Sequence, residues 1–341
     1  MAAAAWLDAP PAGWDDLLRS DPNATAAHRP ELGQALTDTL PGHTARFAAV
    51  VADGELIGGA PAVVERRGGF QWIQSMPRVL PGAPLARAGR HAEVDRAVGA
   101  ALAALRREAR AVGGAWSLYR PRGPAVDPDA LADLPGVTRM LESGVIELDR
   151  GLEAAWHRVD RKTRQEIRHA GLTMRFAEDA AALEPAYALH AAQSRRWGGH
   201  APLPLELSRR LLAAAGGAAP VARLFTARDA RGLLSAALAL DHARETLVWW
   251  SGTHAEGRAR EAFGFLLWSI AEWAASAGRE RLNLGASPGL DPVAAFKRSL
   301  GATALAYPVR WLDASGASLA GRLIAAAQGW RRRGRALGTP A

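Results

Sequence analysis

The stretch "RFAAVVADGELIGGAPAVVERRGGFQWIQSM" mixes alternating apolar and polar positions with short runs that are apolar throughout, as half-buried and fully buried strands do. It predicts strands over 47–52, 55–65 and 70–76, with Asp53-Gly54 as the hairpin turn between the first two. A Pro/Gly-rich loop, 77–89, leads into a helix over 91–111 that stops at Gly113-Gly114. The strand "AWSLYR", a short helix over 128–134 and a strand near 144–149 complete the first half.

The second half repeats that order. "VARLFTARDARGLLSAALALDHARETLVWWSG" predicts another set of strands, and a helix over 262–277 ends at Gly278. The strand "RLNLGA" follows, then a short helix opened by Asp291-Pro292 and closed by Gly301, then the strand "ALAYPVRWL". Gly113 and Gly278 are 165 positions apart, and so are Gly136 and Gly301. The hairpin glycines Gly54 and Gly232 are 178 apart, so the first copy carries 13 extra residues, which the loop 77–90 accommodates. A repeated order at a fixed offset implies one α/β unit used twice.

Between the copies, "GLEAAWHRVDRKTRQEIRHAGL" places Leu152, Ala155, Trp156, Val159, Thr163, Ile167 and Ala170 on one stripe of a helix. Arg158, Arg161, Lys162, Arg164, Arg168 and His169 form the opposite face, with only Asp160 and Glu166 near them. The pattern divides the chain into an N-terminal segment (1–43), a first unit (44–150), a basic linking helix (151–171), a second unit (172–312) and a basic tail (313–341) carrying Arg331-Arg332-Arg333.

Length and composition narrow the function classes. A chain of 341 residues with 49% apolar content can build two cores of ordinary size. It lacks both an apolar run long enough to span a bilayer and the basic-then-apolar start of a secretory signal, so a cytoplasmic location is expected. With no cysteine there are no disulfides, thiolate nucleophiles or Cys-based metal sites. The histidines (His169, His190, His200, His242 and His254 among them) are scattered, so no metal site is expected. A net charge of +8, from 42 Lys and Arg against 34 Asp and Glu, favours an anionic partner.

The most specific stretch is "LNLGASPGLDPVAAFKRSLGA", where Lys297 and Arg298 sit between the apolar Phe296 and Leu300 one turn before the helix stops. Together with "RKTRQEIRHAG", "SRRWGG" and "WWSGTHAEGRAREAFGFLLWSIAEWAASAG", it resembles the Fem-type aminoacyltransferases and related tandem acetyltransferases of the GNAT superfamily. The residues carrying the resemblance lie in 151–305; the first half matches by order of elements. Asn283 stands where an Asp is common in that family. The resemblance implies an α/β fold of mixed sheets in two tandem GNAT-like units packed together. It also implies direct transfer of an acyl or aminoacyl group onto an amine, without metal or covalent enzyme intermediate. Acyl-CoA is the expected donor and aminoacyl-tRNA the alternative; the acceptor is a small-molecule or peptide amine. A rival of another class, a non-catalytic nucleic-acid-binding protein, rests on a pI of about 10.8 and on the basic helix, whose cations are not interleaved with aromatics.

Amine attack on a thioester or ester needs a held donor, donors for the oxyanion and a route for the ammonium proton. Gly257, Arg258, Arg260 and Gly264 stand at the start of helix 262–277, where a phosphate of the donor is expected. Only part of the glycine-rich pyrophosphate signature is kept, because Phe263 precedes the last glycine. Of Trp249 and Trp250, one lines the acyl channel in this reading, with Trp250 the candidate. Arg164 and Arg168 on the basic helix, Arg196 and Trp197 in "SRRWGG", and Asn283 are the candidate substrate contacts. Glu261, Asp241 and Asp291 are the carboxylates considered as general base, with Glu261 the candidate. Lys297 is the candidate for polarising the acyl carbonyl or binding a donor phosphate, since the aligned stretch "LADLPG" of the first copy has Leu131 for Phe296 and Ala132 for Lys297.

Overall fold

The computed structural model describes residues 3–75, 80–123, 128–131, 134–196, 202–216, 219–287 and 290–312. Ala132, Trp197 and the basic tail fall outside the described residues.

The first half of the chain runs β1 (Ala3–Leu7), α1 (Trp14–Ser20), α2 (Pro30–Thr39), β2 (His43–Ala52), β3 (Glu55–Arg67), β4 (Phe70–Gln74), β5 (Leu85–Ala86), α3 (His91–Glu108), β6 (Ala111–Ser117) and β7 (Gly136–Glu147). The second begins with α4 (Leu152–Arg158), α5 (Arg161–Thr173), β8 (Arg175–Glu178), α6 (Leu183–Arg196) and α7 (Leu205–Ala213). It continues with β9 (Ala215–Gly216), β10 (Ala219–Pro220), β11 (Ala222–Asp229), β12 (Gly232–Asp241) and β13 (Glu245–Thr253). It closes with α8 (Ala255–Ala259), α9 (Ala262–Ser276), β14 (Arg281–Ala286), α10 (Asp291–Ser299) and β15 (Thr303–Leu312).

These residues make two compact units that are not contiguous in sequence. One unit holds Gly42–Arg139 with the described residues of 3–14 and 308–312; the other holds Asp15–Pro41 and Met140–Tyr307. In the first unit β1, β2, β3 and β4 are antiparallel neighbours, β4 lies parallel to β6, and the end of β15 closes against β6. In the second, β8, β11, β12 and β13 are antiparallel, β13 lies parallel to β14, and β7 closes against β14. The strand order is therefore the same, but each unit takes its closing strand from the other half of the sequence. A strand's apolar pattern fixes the face it buries and says nothing of which sheet edge it joins.

Local chemistry accounts for turns and helices in both units. Asp53 and Gly54 both have positive φ, 51° and 81°, as a two-residue hairpin turn needs. The turn before β12 is set differently: Asp229 Oδ1 accepts the N–H groups of Arg231 (2.8 Å) and Gly232 (3.1 Å). Helix α9 is apolar on nearly every side and buries Ala262, Leu266, Leu267, Trp268, Ile270, Ala271 and Ala274, so it is a core helix rather than a surface one. The basic stretch expected as one helix is two, α4 and α5. The N–H of Asp160 at the break donates to Ser299 O of α10 at 2.9 Å, so the end of α10 is tied to the break.

Segment 15–41 belongs to the second unit, and its Asp21, Asn23, Thr25, His28 and Arg29 are all buried. Across from it, His242 is pushed down to about 4 by burial and by the charges of His28, Arg29 and Arg279, against the opposite pull of Asp241. The unfolded chain takes up that proton near pH 6.5, the folded chain only near 4, so stability is lost as pH falls through this window. Each tenfold fall in proton affinity is equivalent to ~1.4 kcal/mol, so the loss amounts to about 3 kcal/mol. Urea unfolding of the wild type and of His242→Gln at pH 7 and pH 4.5 is expected to show a clearly smaller loss in the variant; equal losses would remove His242 as the cause.

Candidate functional site

The parallel pairing of β13 with β14 is short. It joins Glu245 to Arg281, Thr246 to Leu282 and Leu247 to Asn283, and then stops, although β13 continues to Thr253 and β14 to Ala286. In the first unit the corresponding strands stay together: β4 and β6 pair through Gln74–Ala115, and Ser75 N–H still donates to Ala115 O at 3.0 Å. In the second unit the two strands are paired only at their start and part beyond Leu247–Asn283. On the far side of β13 a bulge sets Leu238 opposite Trp250 and Ala239 opposite Val248, leaving Trp249 as the extra residue.

The opening has an identifiable cause. Asn283 is fully buried, and its Oδ1 accepts the N–H of Gly285 (2.8 Å) and the hydroxyl of Ser143 on β7 (2.6 Å). Its Nδ2 donates to Glu245 Oε1 at 3.1 Å. This side-chain turn bends β14 at Gly285, whose φ of +77° favours glycine, and the β14–β7 register breaks between Asn283 and Ala286. Below the bend, Arg281 Nε donates to Glu245 Oε2 at 3.1 Å with both side chains buried. Tyr307, also buried, is pushed up to about 12 by burial and by the charge of Glu245.

Lys297 projects into this region from α10. Its Nζ donates to the carbonyl of Gly285 at 2.7 Å, and burial lowers it to about 8. Arg298, the next residue, is exposed. Phe296 stacks on Phe263 of α9 with ring centroids 5.5 Å apart, which ties α10 to the first turn of α9 and accounts for a phenylalanine before Gly264. Gly301 (φ +79°) ends α10; a Cβ there would lie 3.1 Å from the backbone of Arg158 and Val159.

The other candidates fall into separate groups. Arg258 donates to Thr253 O at 2.7 Å, and Arg260 is bonded to Asp229, to Thr173 Oγ1 (3.0 Å) and to Glu256 (3.4 Å). Glu261 precedes α9 in the left-handed region (φ 55°, ψ 30°). Its carboxyl is raised by partial burial and by Glu166, against the opposite effect of Lys162. A cleft of about 420 Å³ at this corner is lined by Glu166, His169, Thr173, Arg260 and Glu261. Gly257 passes close to β12, since a Cβ would stand 2.5 Å from Leu234 O; Gly264 has open space around it.

Trp250 is buried toward α6 and α7, donating to Ser208 Oγ at 3.2 Å and stacking on His190 at 4.9 Å. Arg164 donates to the carbonyls of Trp156 (3.3 Å) and His157 (3.4 Å) at the end of α4. Arg168 lies 5.5 Å from the centre of the Trp156 ring, and Arg196 is exposed at the end of α6. Asp241 is locked between Arg223 (3.0 Å) and Arg279 (2.8 Å), and Asp291 is exposed at the start of α10.

The structure therefore brings Lys297 and Asn283 together through Gly285 and sets the α8–α9 residues apart as a second cluster. Ser143, Gly144, Glu245 and Arg281 are not singled out by the sequence. The one signal it offers is Gly144 within a strand, where a missing side chain leaves room for a close approach by another group. Among the described residues no group of three or more His, Asp or Glu is placed to hold a metal ion, and no helix is long and apolar enough to cross a membrane.

Residues 154–298 match the family model described as an acetyltransferase (GNAT) domain. Among solved structures the chain is similar to FemX, with a TM-score of 0.67 at 12% identity over 89% of this chain and 96% of that one. It is also similar to a tandem GNAT protein from the clavulanic acid biosynthesis pathway, with a TM-score of 0.51 at 16% identity over 91% and 98% of the two chains. No curated protein matches. At such identities the structures speak to the fold alone, which is the mixed α/β fold of the tandem GNAT proteins.

Proposed function

We propose that this acyltransferase of the GNAT superfamily moves an acyl group from an activated donor onto an amine at the opening between β13 and β14. The observation that carries the reading is the early end of the β13–β14 pairing in the second unit, with Lys297 held at its edge. Backbone groups freed there can hold an acyl chain in extended form. The attacking amine forms the C–N bond, the C–S or C–O bond of the donor breaks, and the proton of the amine leaves with the thiol or hydroxyl. Lys297 acts on the charge that gathers on the acyl oxygen in between, from a fixed position that needs no rearrangement. Glu261 and the other carboxylates considered have no contact that singles one out as the base.

Acyl-CoA is the donor that the fold brings with it, and a cytoplasmic location goes with it. The start of α9 does not fit its diphosphate as it stands. Arg258 and Arg260 are already bonded to Thr253, Asp229 and Glu256, and Glu261 with Glu166 puts carboxylates at the helix start. That favours a second reading of the donor, an aminoacyl-tRNA, with its phosphates on cations elsewhere such as the exposed Arg161 and Arg168 of α5. Incubating the protein with acetyl-CoA, or with charged tRNA, and a panel of primary amines, then reading N-acylated product by mass spectrometry, separates the two. Transfer from neither donor to any amine would sink the proposed function.

A further inference from the structure

The amine of Lys297 is useful only if it is aimed, and two residues outside α10 set its direction. The lysine stem crosses β7 over Gly144. A Cβ built on Gly144 would stand 3.0 Å from Cδ, 3.3 Å from Cβ and 3.6 Å from Cγ of Lys297, and these are its nearest neighbours. The head of the lysine is fixed by the carbonyl of Gly285, whose place depends on Asn283 Oδ1. Asn283 is itself oriented by the Ser143 hydroxyl on one side and by Glu245 on the other, so its two polar atoms are engaged within the protein and it has no free edge for a substrate. Ser143 and Gly144 are adjacent on β7, the strand that the first half of the sequence lends to the second unit.

We propose that Gly144 and Asn283 are positioning residues for Lys297, Gly144 by leaving room for its stem and Asn283 by placing the carbonyl that holds its head. The inference rests on the reading that the charge of Lys297 acts on the reacting acyl group. It makes β7 part of the working site, although the family match begins only at residue 154. The requirement at Gly144 is steric and local: the strand conformation there suits any residue, and a methyl group would displace only the lysine.

Gly144→Ala in the full chain is the test, measured as kcat and donor KM with whichever donor supports transfer. The stem must give by a few tenths of an ångström, and the displaced amine is expected to lower kcat by roughly several-fold to 10-fold with little change in KM or melting temperature. A lysine pushed toward water also regains its ordinary basicity, so the alkaline limb of the kcat profile is expected to move up from about 8. In a Lys297→Met background the same glycine change is expected to do nothing further. Ser143→Ala, which removes only the hydroxyl on Asn283, keeps the test open if Gly144→Ala folds poorly; a several-fold fall in kcat that vanishes in the Lys297→Met background is expected. If Lys297→Met loses activity while Gly144→Ala and Ser143→Ala keep it, or if either lowers kcat as much without the lysine as with it, the positioning role is overturned and the role of Lys297 stands. If Lys297→Met itself keeps full activity, the reading of the site fails first.

Discussion

Lys297→Met is expected to lower kcat by about 10²-fold, equivalent to about 3 kcal/mol of transition-state stabilisation. Methionine keeps the bulk of the stem over Gly144 and removes the charge together with its hydrogen bond to Gly285 O. Folding is not expected to suffer. Burial lowers Lys297 to about 8, so the charged form is disfavoured by the fold and its loss leaves melting temperature level or raised. In the wild type the ammonium fades as pH rises through about 8, so the kcat profile should carry an alkaline limb there that the variant lacks. Arg298→Met is the control, since Arg298 is exposed and its neighbour alone meets Gly285. Steady-state kinetics of both variants decide the matter: full turnover in Lys297→Met would remove the charge from the mechanism, and loss confined to Arg298→Met would move it one residue along.

How far this site is legible in the sequence depends on which property is asked for. Helix α10 is read with its start and its stop, because Asp291-Pro292 and Gly301 are local signals. The asymmetry between Lys297 and the aligned Ala132 points to the second unit before any coordinates are seen, and Asn283 lies close to the lysine as a candidate. Its role is different from the one expected, however. A side chain that reads as a substrate contact is fully buried, and its partners Ser143 and Glu245 are 140 and 38 positions away. Nothing local announces such pairings. The closing strands have the same difficulty: β15 is read as a strand and β7 only over its last residues, since it begins at Gly136 rather than near 144, while their partners β6 and β14 follow from how the whole chain is threaded. Trp250 shows a third limit. The bulge at Trp249 shifts the alternation of β13 by one residue, so counting along the strand cannot tell which tryptophan faces the opening.

Arg281→Met is expected to destabilise the second unit by about 3–5 kcal/mol, the largest effect on folding among these changes. Arg281 and Glu245 are 0% and 1% exposed, and they join β14 to β13 immediately below the point where the strands part. Removing the guanidinium takes the opposite charge away from a buried carboxylate, and the cost of burying that carboxylate without it exceeds anything the pair contributes by itself. Arg281→Met combined with Glu245→Leu removes both charges and is expected to recover much of the stability. It is not expected to recover all of the activity. Without Glu245 the Nδ2 of Asn283 loses that acceptor, so the side chain that bends β14 and seats the carbonyl under Lys297 is held less firmly. Chemical denaturation and kcat measured on the single and double variants separate the two roles. A single variant costing under about 1 kcal/mol would mean that the pair is solvated in solution, and a double variant with full turnover would mean that Glu245 contributes to folding alone.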